Sequence, residues 1–160
     1  MEIDYDKLSV SHDDILKELK ESNINFIVTY NKAGRYYGWG GTHPTLDLII
    51  ENTVTNLLRL QRCLNFPINK YKNLRKGGKI SLVNELGQNV LTLWTVVGYR
   101  NYWDFKYTEL DGYKIISKRD LIDTIKYSPV HMELRAKLGL EEEIWKDDNV
   151  FRAYQISVRG

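Results

Sequence analysis

Asp111-Gly112 sits between two strand-like runs, Tyr102–Leu110 and Tyr113–Ser117. A two-residue Asp-Gly link is the connection that matches the right-handed twist of an antiparallel hairpin, because both residues tolerate positive φ. The same grammar occurs upstream, where Lys79–Asn84 and Val90–Tyr99 read as strands around a turn at Gly87-Gln88-Asn89. Residues 79–117 therefore predict a four-stranded meander. An N-terminal hairpin adds to it: Phe26–Tyr30 and Arg35–Trp39, joined by Asn31-Lys32-Ala33-Gly34. Val150–Val158 alternates as a last strand returning to the sheet.

Between these strands lie helical patterns. Ser11 caps a short helix from Asp13 to about Ser22, with Ile15, Leu16 and Leu19 on one side. Leu46, Ile49, Ile50, Val54, Leu57, Leu58 and Leu64 recur at helical spacing and predict one long helix, Thr45–Leu64, stopped by Phe66-Pro67. Lys118–Lys126 and Pro129–Leu138 complete the set, the second opened by Ser128 and ended by Gly139. Strands in clusters, without sustained strand-helix alternation, predict an α+β fold. Its mainly antiparallel sheet packs on one long and several short helices, in a single compact domain over residues 1–160.

The chain has 160 residues, enough for one core that buries roughly 68–70% of the unfolded surface. Its single cysteine, Cys63, excludes an intramolecular disulfide and points to a reducing cytoplasm. That residue falls late in the apolar-faced helix and reads as a small packed side chain. One Cys with the scattered His12, His43 and His131 makes no zinc set, and no carboxylate group has calcium-loop spacing. No metal or cofactor is expected. With neither a leader nor a long apolar span, the chain is expected to be neither secreted nor membrane-inserted.

Charge is where function enters. Between Glu51 and Glu85 there is no acidic residue, but there are seven cations: Arg59, Arg62, Lys70, Lys72, Arg75, Lys76 and Lys79. The whole chain is only +2, so this block carries +7 and the remainder −5. Ordinary surfaces intersperse their charges. A segregated block predicts a face that meets something anionic, with phosphate first among the candidates. Lys70–Lys79 is expected to be a loop closed by Gly77-Gly78, where amides and cations gather phosphate oxygens and Tyr71 adds a ring. Its spacing is not that of a nucleoside-triphosphate loop. The bland alternative is a solvated loop whose cations only aid solubility.

Two further segments carry chemistry. Trp94–Tyr107 is rich in aromatics; on a strand, Trp103, Phe105 and Tyr107 share one side, and burial is the favoured reading of that side. Exposed, the same rings would stack on unpaired bases or anchor a protein partner. Arg35–Thr45 is a glycine-rich, aromatic approach to the predicted long helix. The favoured reading is a plain strand-to-helix connection in which Thr45 caps and Pro44 fixes the entry. The alternative is that the first helical amides attract an anion beside His43 and Thr45. His43-Pro44-Thr45 resembles one half of the His-x-Thr/Ser pair of two-histidine phosphoesterases. The second half is missing, since His12-Asp13-Asp14 and His131-Met132-Glu133 supply no hydroxyl.

The leading expectation is a small non-enzymatic binding module in the cytoplasm. Its partner is nucleic acid or a nucleic-acid-handling protein, met through Arg59, Arg62, Lys70, Tyr71, Lys72, Arg75, Lys76 and Lys79. The compact, lysine- and asparagine-rich character fits an accessory or inhibitor protein of a mobile element. The alternatives are a phosphoester- or nucleotide-directed enzyme using His43, Thr45 and His131, and a protein–protein adaptor using the aromatic sheet face.

Overall fold

Every residue of β1 (Phe26–Thr29) and of β2 (Leu46–Ile50) is buried, so these strands run through the middle of the molecule with both faces covered. The computed structural model describes residues 11–38, 45–84 and 86–125. Around the central pair, in chain order, are α1 (His12–Glu21), α2 (Tyr30–Tyr36, between β1 and β2), α3 (Val54–Leu64), α4 (Ile68–Arg75), β3 (Lys79–Val83), β4 (Asn89–Trp94), β5 (Val96–Val97) and β6 (Arg100–Asn101). A 3-10 turn at Tyr102–Asp104, β7 (Tyr107–Leu110), β8 (Tyr113–Ile116) and α5 (Lys118–Ile125) follow. The α+β class holds. The predicted helix Pro129–Leu138 and strand Val150–Val158 lie outside the described residues.

Six strands form one sheet in the order β3-β4-β2-β1-β8-β7. The two local hairpins, β3–β4 and β7–β8, and the central β1–β2 pair are antiparallel. The central pair joins each hairpin by a parallel pairing, Leu46 with Leu91 on one side and Val28 with Ile115 on the other. The sheet is therefore mixed rather than mainly antiparallel, and the continuous four-stranded meander does not form. β4 and β7 sit on opposite sides of the central pair, while residues between them make the separate β5–β6 ribbon. The Asp111-Gly112 turn is as expected, with φ of 54° and 82°.

Three local expectations are overturned. Asn31-Lys32-Ala33-Gly34 is not a hairpin turn but the body of α2, whose Asn31, Ala33 and Gly34 are buried; the helix contacts β1 and β2. The long helix Thr45–Leu64 is a strand followed by a shorter helix. Leu46–Ile50 is an apolar run covered on both faces, a pattern that helical spacing mimics in so short a stretch. The helix proper begins at Thr53, whose side chain accepts from the Asn56 amide at 3.2 Å. Finally, Ile68–Arg75 is helical rather than loop. It buries only Leu74 fully, so it carries no amphipathic pattern to read.

The core joins Ile15, Leu16 and Leu19 of α1 and Leu57, Leu60 and Leu64 of α3 to the sheet residues Val28, Leu48, Leu93 and Ile115. Each such side chain contributes about 1.5–3 kcal/mol on burial. Asn56 is the polar pin of this layer. Its Oδ1 accepts from the Asn25 amide at 2.7 Å, and its Nδ2 donates to the carbonyls of Glu51 (2.8 Å) and Asn25 (3.1 Å). That fixes α3 against the end of the central strand pair. No helix among the described residues is long and apolar enough to cross a membrane.

Candidate nucleic-acid interface

α3 and α4 pack against each other, and between them they carry most of the cations of the acid-free segment. α3 buries Asn56, Leu57, Leu60, Cys63 and Leu64, which leaves Arg59 and Arg62 on its exposed side. At about 100° per residue, Lys72 falls on the side of α4 opposite Leu74 and Arg75 on its flank, while Lys76 caps the C-terminus of the helix. All three are exposed. Lys70 falls on the Leu74 side and is half-buried, its stem serving as apolar cover. Tyr71 is half-buried against the core rather than projecting as a free ring.

The seven cations divide by what holds them. Arg75 Nη1 donates to Asn52 Oδ1 at 3.0 Å and to its carbonyl at 3.4 Å, while Asn52 Nδ2 donates back to the Arg75 carbonyl at 3.1 Å. It is a clamp between α4 and the start of α3. Lys79 places its ammonium 4.9 Å from the Trp94 ring centroid, a cation–π contact. Arg59 reaches the Asn23 carbonyl at 3.4 Å. Arg62, Lys72 and Lys76 stay exposed. Among the described residues the ion pairs are Lys32–Asp13 and Arg100–Asp120, and none involves a cation of this block. Arg62, Lys72 and Arg75 lie in the last turns of their helices, where the dipole favours positive charge. That favours the cations locally without neutralising them.

The residues of the enzymatic alternative are not brought together. His43 and His131 lie outside the described residues. Thr45 opens no helix; it precedes β2, and its Oγ1 donates to the Asn89 carbonyl at 3.0 Å. Thr45 is therefore not the expected helix cap, and the alternative of an anion site at a helix terminus there fails with it, because the helix starts after Thr53. Among the described residues no group of three or more His, Cys, Asp or Glu side chains is gathered as a metal site.

The aromatic segment also departs from expectation. Residues 102–104 form a 3-10 turn, so strand alternation fails there. Tyr102 and Phe105 are buried, while Trp103 is 70% exposed and Tyr99 fully exposed. Tyr107 is about half exposed, with Lys114 Nζ 4.9 Å from its ring centroid.

A cluster that sequence reasoning missed lies at the start of β2. Asp47 is buried, paired across the sheet with Thr29 and Thr92. Burial pushes its carboxyl up to about 7, against the opposing pull of the Trp94 indole N–H and of Lys79. That indole N–H and the Thr29 hydroxyl are buried without a partner at hydrogen-bonding geometry. Tyr30, with its ring 5.8 Å from that of Trp94, is held at φ 49°; burial, and then the Asp47 charge, push its hydroxyl up to about 12. The sequence signal was a lone carboxylate inside the apolar run Leu46-Asp47-Leu48-Ile49-Ile50. Such a group titrates near neutrality, as acid–base catalysts do. Its neighbour Tyr30, with a hydroxyl pushed up to about 12, supplies no second group tuned to that range.

No protein-family model, curated protein or solved structure matches the chain.

Proposed function

We propose that this chain is a non-enzymatic binding module for nucleic acid, engaging the phosphate backbone through the basic face of α3 and α4. One observation carries the reading: two contacting helices from a segment without any acidic residue expose Arg62, Lys72 and Lys76 with no ion-pair partner among the described residues. Solvated cations normally sit among acids, and clustered ones of this kind recruit polyphosphate by releasing its condensed counterions. Arg59 and Lys70 extend the same field, whereas Arg75 and Lys79 are first of all parts of the fold.

The test is the triple variant Arg62→Gln/Lys72→Gln/Lys76→Gln, measured by fluorescence anisotropy on duplex DNA over a salt series. Each lost phosphate contact flattens the log-affinity against log-salt slope by about 0.9, so the triple change flattens it by up to about 2.7. The unfolding midpoint should hardly move, since exposed cations contribute little to stability. A wild-type chain with no salt-dependent affinity, or a variant with the same slope, would sink this reading.

A further inference from the structure

Resting on that basic-face reading, we infer that the nucleic acid this chain takes is single-stranded, with unpaired bases stacked on Tyr99 and Trp103. The two rings stand free on a mount that is itself rigid. Tyr99 tips the β5–β6 ribbon beside Gly98, a positive-φ turn residue, and is fully exposed. Trp103 is 70% exposed, yet its backbone and one side of its ring are held. Its amide donates to Asn101 Oδ1 at 2.9 Å, the Asn101 amide donates to Asp104 Oδ2 at 2.9 Å, and its ring meets buried Tyr102 edge-on at 4.9 Å. Below, Arg100 lies over Phe105 at 4.2 Å and donates to Asp120 at 2.9 Å and to the Asp104 carbonyl at 2.8 Å, tying the ribbon to α5. The Trp103 ring, positioned in this way, loses little freedom when a ligand lands on it.

The mount adjoins the basic helix. The Thr95 hydroxyl donates to the Leu74 carbonyl of α4 at 2.7 Å, and Gly77 lies so close to Val96 that a side-chain carbon there would come within 3.1 Å of Cγ2. Asn101 pairs with Val96, and Trp103 follows two residues later. The ribbon that carries both rings is thus joined to the end of α4, the helix that carries Lys72, and single-strand grooves engage few nucleotides, about 4–16. The Asp104 carboxylate beside Trp103 is turned onto the Asn101 amide, which leaves the phosphates to α4 and the bases to the rings. Duplex bases keep their faces covered by their neighbours, so only unpaired bases can use such rings.

The experiment measures the wild-type chain, Tyr99→Ala/Trp103→Ala and the triple cation variant against four probes. These are an oligothymidylate, an oligouridylate of the same length, an abasic deoxyribose-phosphate chain with the same number of phosphates, and duplex DNA. The wild-type chain should prefer the base-bearing single strands to the abasic chain by about 5- to 150-fold per stacked base. The aromatic variant should lose that preference while keeping the salt slope, and Tyr99→Phe/Trp103→Phe should restore much of it. The ratio of thymidylate to uridylate affinity then reports the sugar and the thymine methyl together, and an oligodeoxyuridylate of the same length separates them. Equal affinity for abasic and base-bearing chains, or an aromatic variant that binds as wild type, would overturn the single-strand inference while leaving the basic face standing. No salt-dependent binding to any probe would overturn both and assign the exposed rings to a protein partner.

Discussion

Replacing Asp47 with Asn tests the electrostatics of the sheet centre directly. The carboxyl sits beneath Thr29 and Thr92 with 8% of its surface exposed, and burial pushes it from 3.8 up to about 7. The folded chain then binds this proton more tightly than the unfolded chain. The stability due to Asp47 is fully present below about pH 4, declines as pH rises toward about 7 and levels off above it. With about 1.4 kcal/mol for each tenfold change in proton affinity, the ionised carboxylate costs at most about 4 kcal/mol above pH 7. Against a domain stability of about 5–15 kcal/mol, that is a large fraction. Asp120 works in another window. Burial disfavours its charge, but the Lys106 amide, Arg100 and Ser117 outweigh burial and hold it below the usual carboxylate range. Its stabilisation is lost only as pH falls below that range. Urea unfolding of wild type and Asp47→Asn at about pH 4, 6 and 8 separates the two. The wild-type midpoint should fall between the first and last conditions, the variant should lack that fall, and the variant should be the more stable protein at the highest pH. Parallel profiles would refute the reasoning, because they would mean that Asp47 ionises as freely in the fold as in the open chain.

Two further outcomes concern the α3 layer. Leu57→Ala removes a fully buried side chain from the core and should cost about 2–5 kcal/mol in the same unfolding assay; a loss under about half a kcal/mol would show that this face of α3 is not core. Asn56→Ala strands the Asn25 amide, worth about 1–3 kcal/mol when left unsatisfied, whereas the Asn25 and Glu51 carbonyls keep the Glu51 and Thr53 amides as donors. Faster hydrogen exchange of the Asn25 amide should accompany that loss, and an unchanged rate would show that the Asn56 side chain is not what protects this amide.

The β3–β4 and β7–β8 hairpins were legible because their turn chemistry is local: Asp111-Gly112 needs no tertiary context to declare itself, whereas the predicted N-terminal hairpin did not form. So was α1, through Ser11 and the Ile15, Leu16, Leu19 stripe. What misled was the centre. Leu46–Ile50 buries both faces, so its apolar residues lack the period-2 alternation of a half-exposed strand, and they run in phase with the helix that follows. α2 was hidden because Asn and Gly, the residues of turns, are there buried inside a helix. The basic block was visible as a charge pattern, yet the roles within it were not. Whether a cation clamps Asn52, as Arg75 does, or stands in water, as Lys72 does, depends on residues brought close only by the fold. Trp103 was misjudged because a single 3-10 turn shifts alternation by a residue and turns a core ring outward.

The strand order has a consequence for the chain as it is made. Synthesis runs from the N-terminus, so β1 and β2 emerge first, yet their outer neighbours β4 and β8 come much later. At about 5–20 residues per second, roughly 3–13 s pass between the appearance of Ile50 and that of Ile115. Throughout that interval the most apolar strands of the molecule have open edges on which any passing extended segment can pair. Asp47 lies within one of these waiting strands. A nascent β2 edge is in water, where its carboxylate is charged and repels other copies of itself; its affinity for a proton rises only when the flanking hairpins close over it. The group that weakens the finished sheet thus guards the unfinished one.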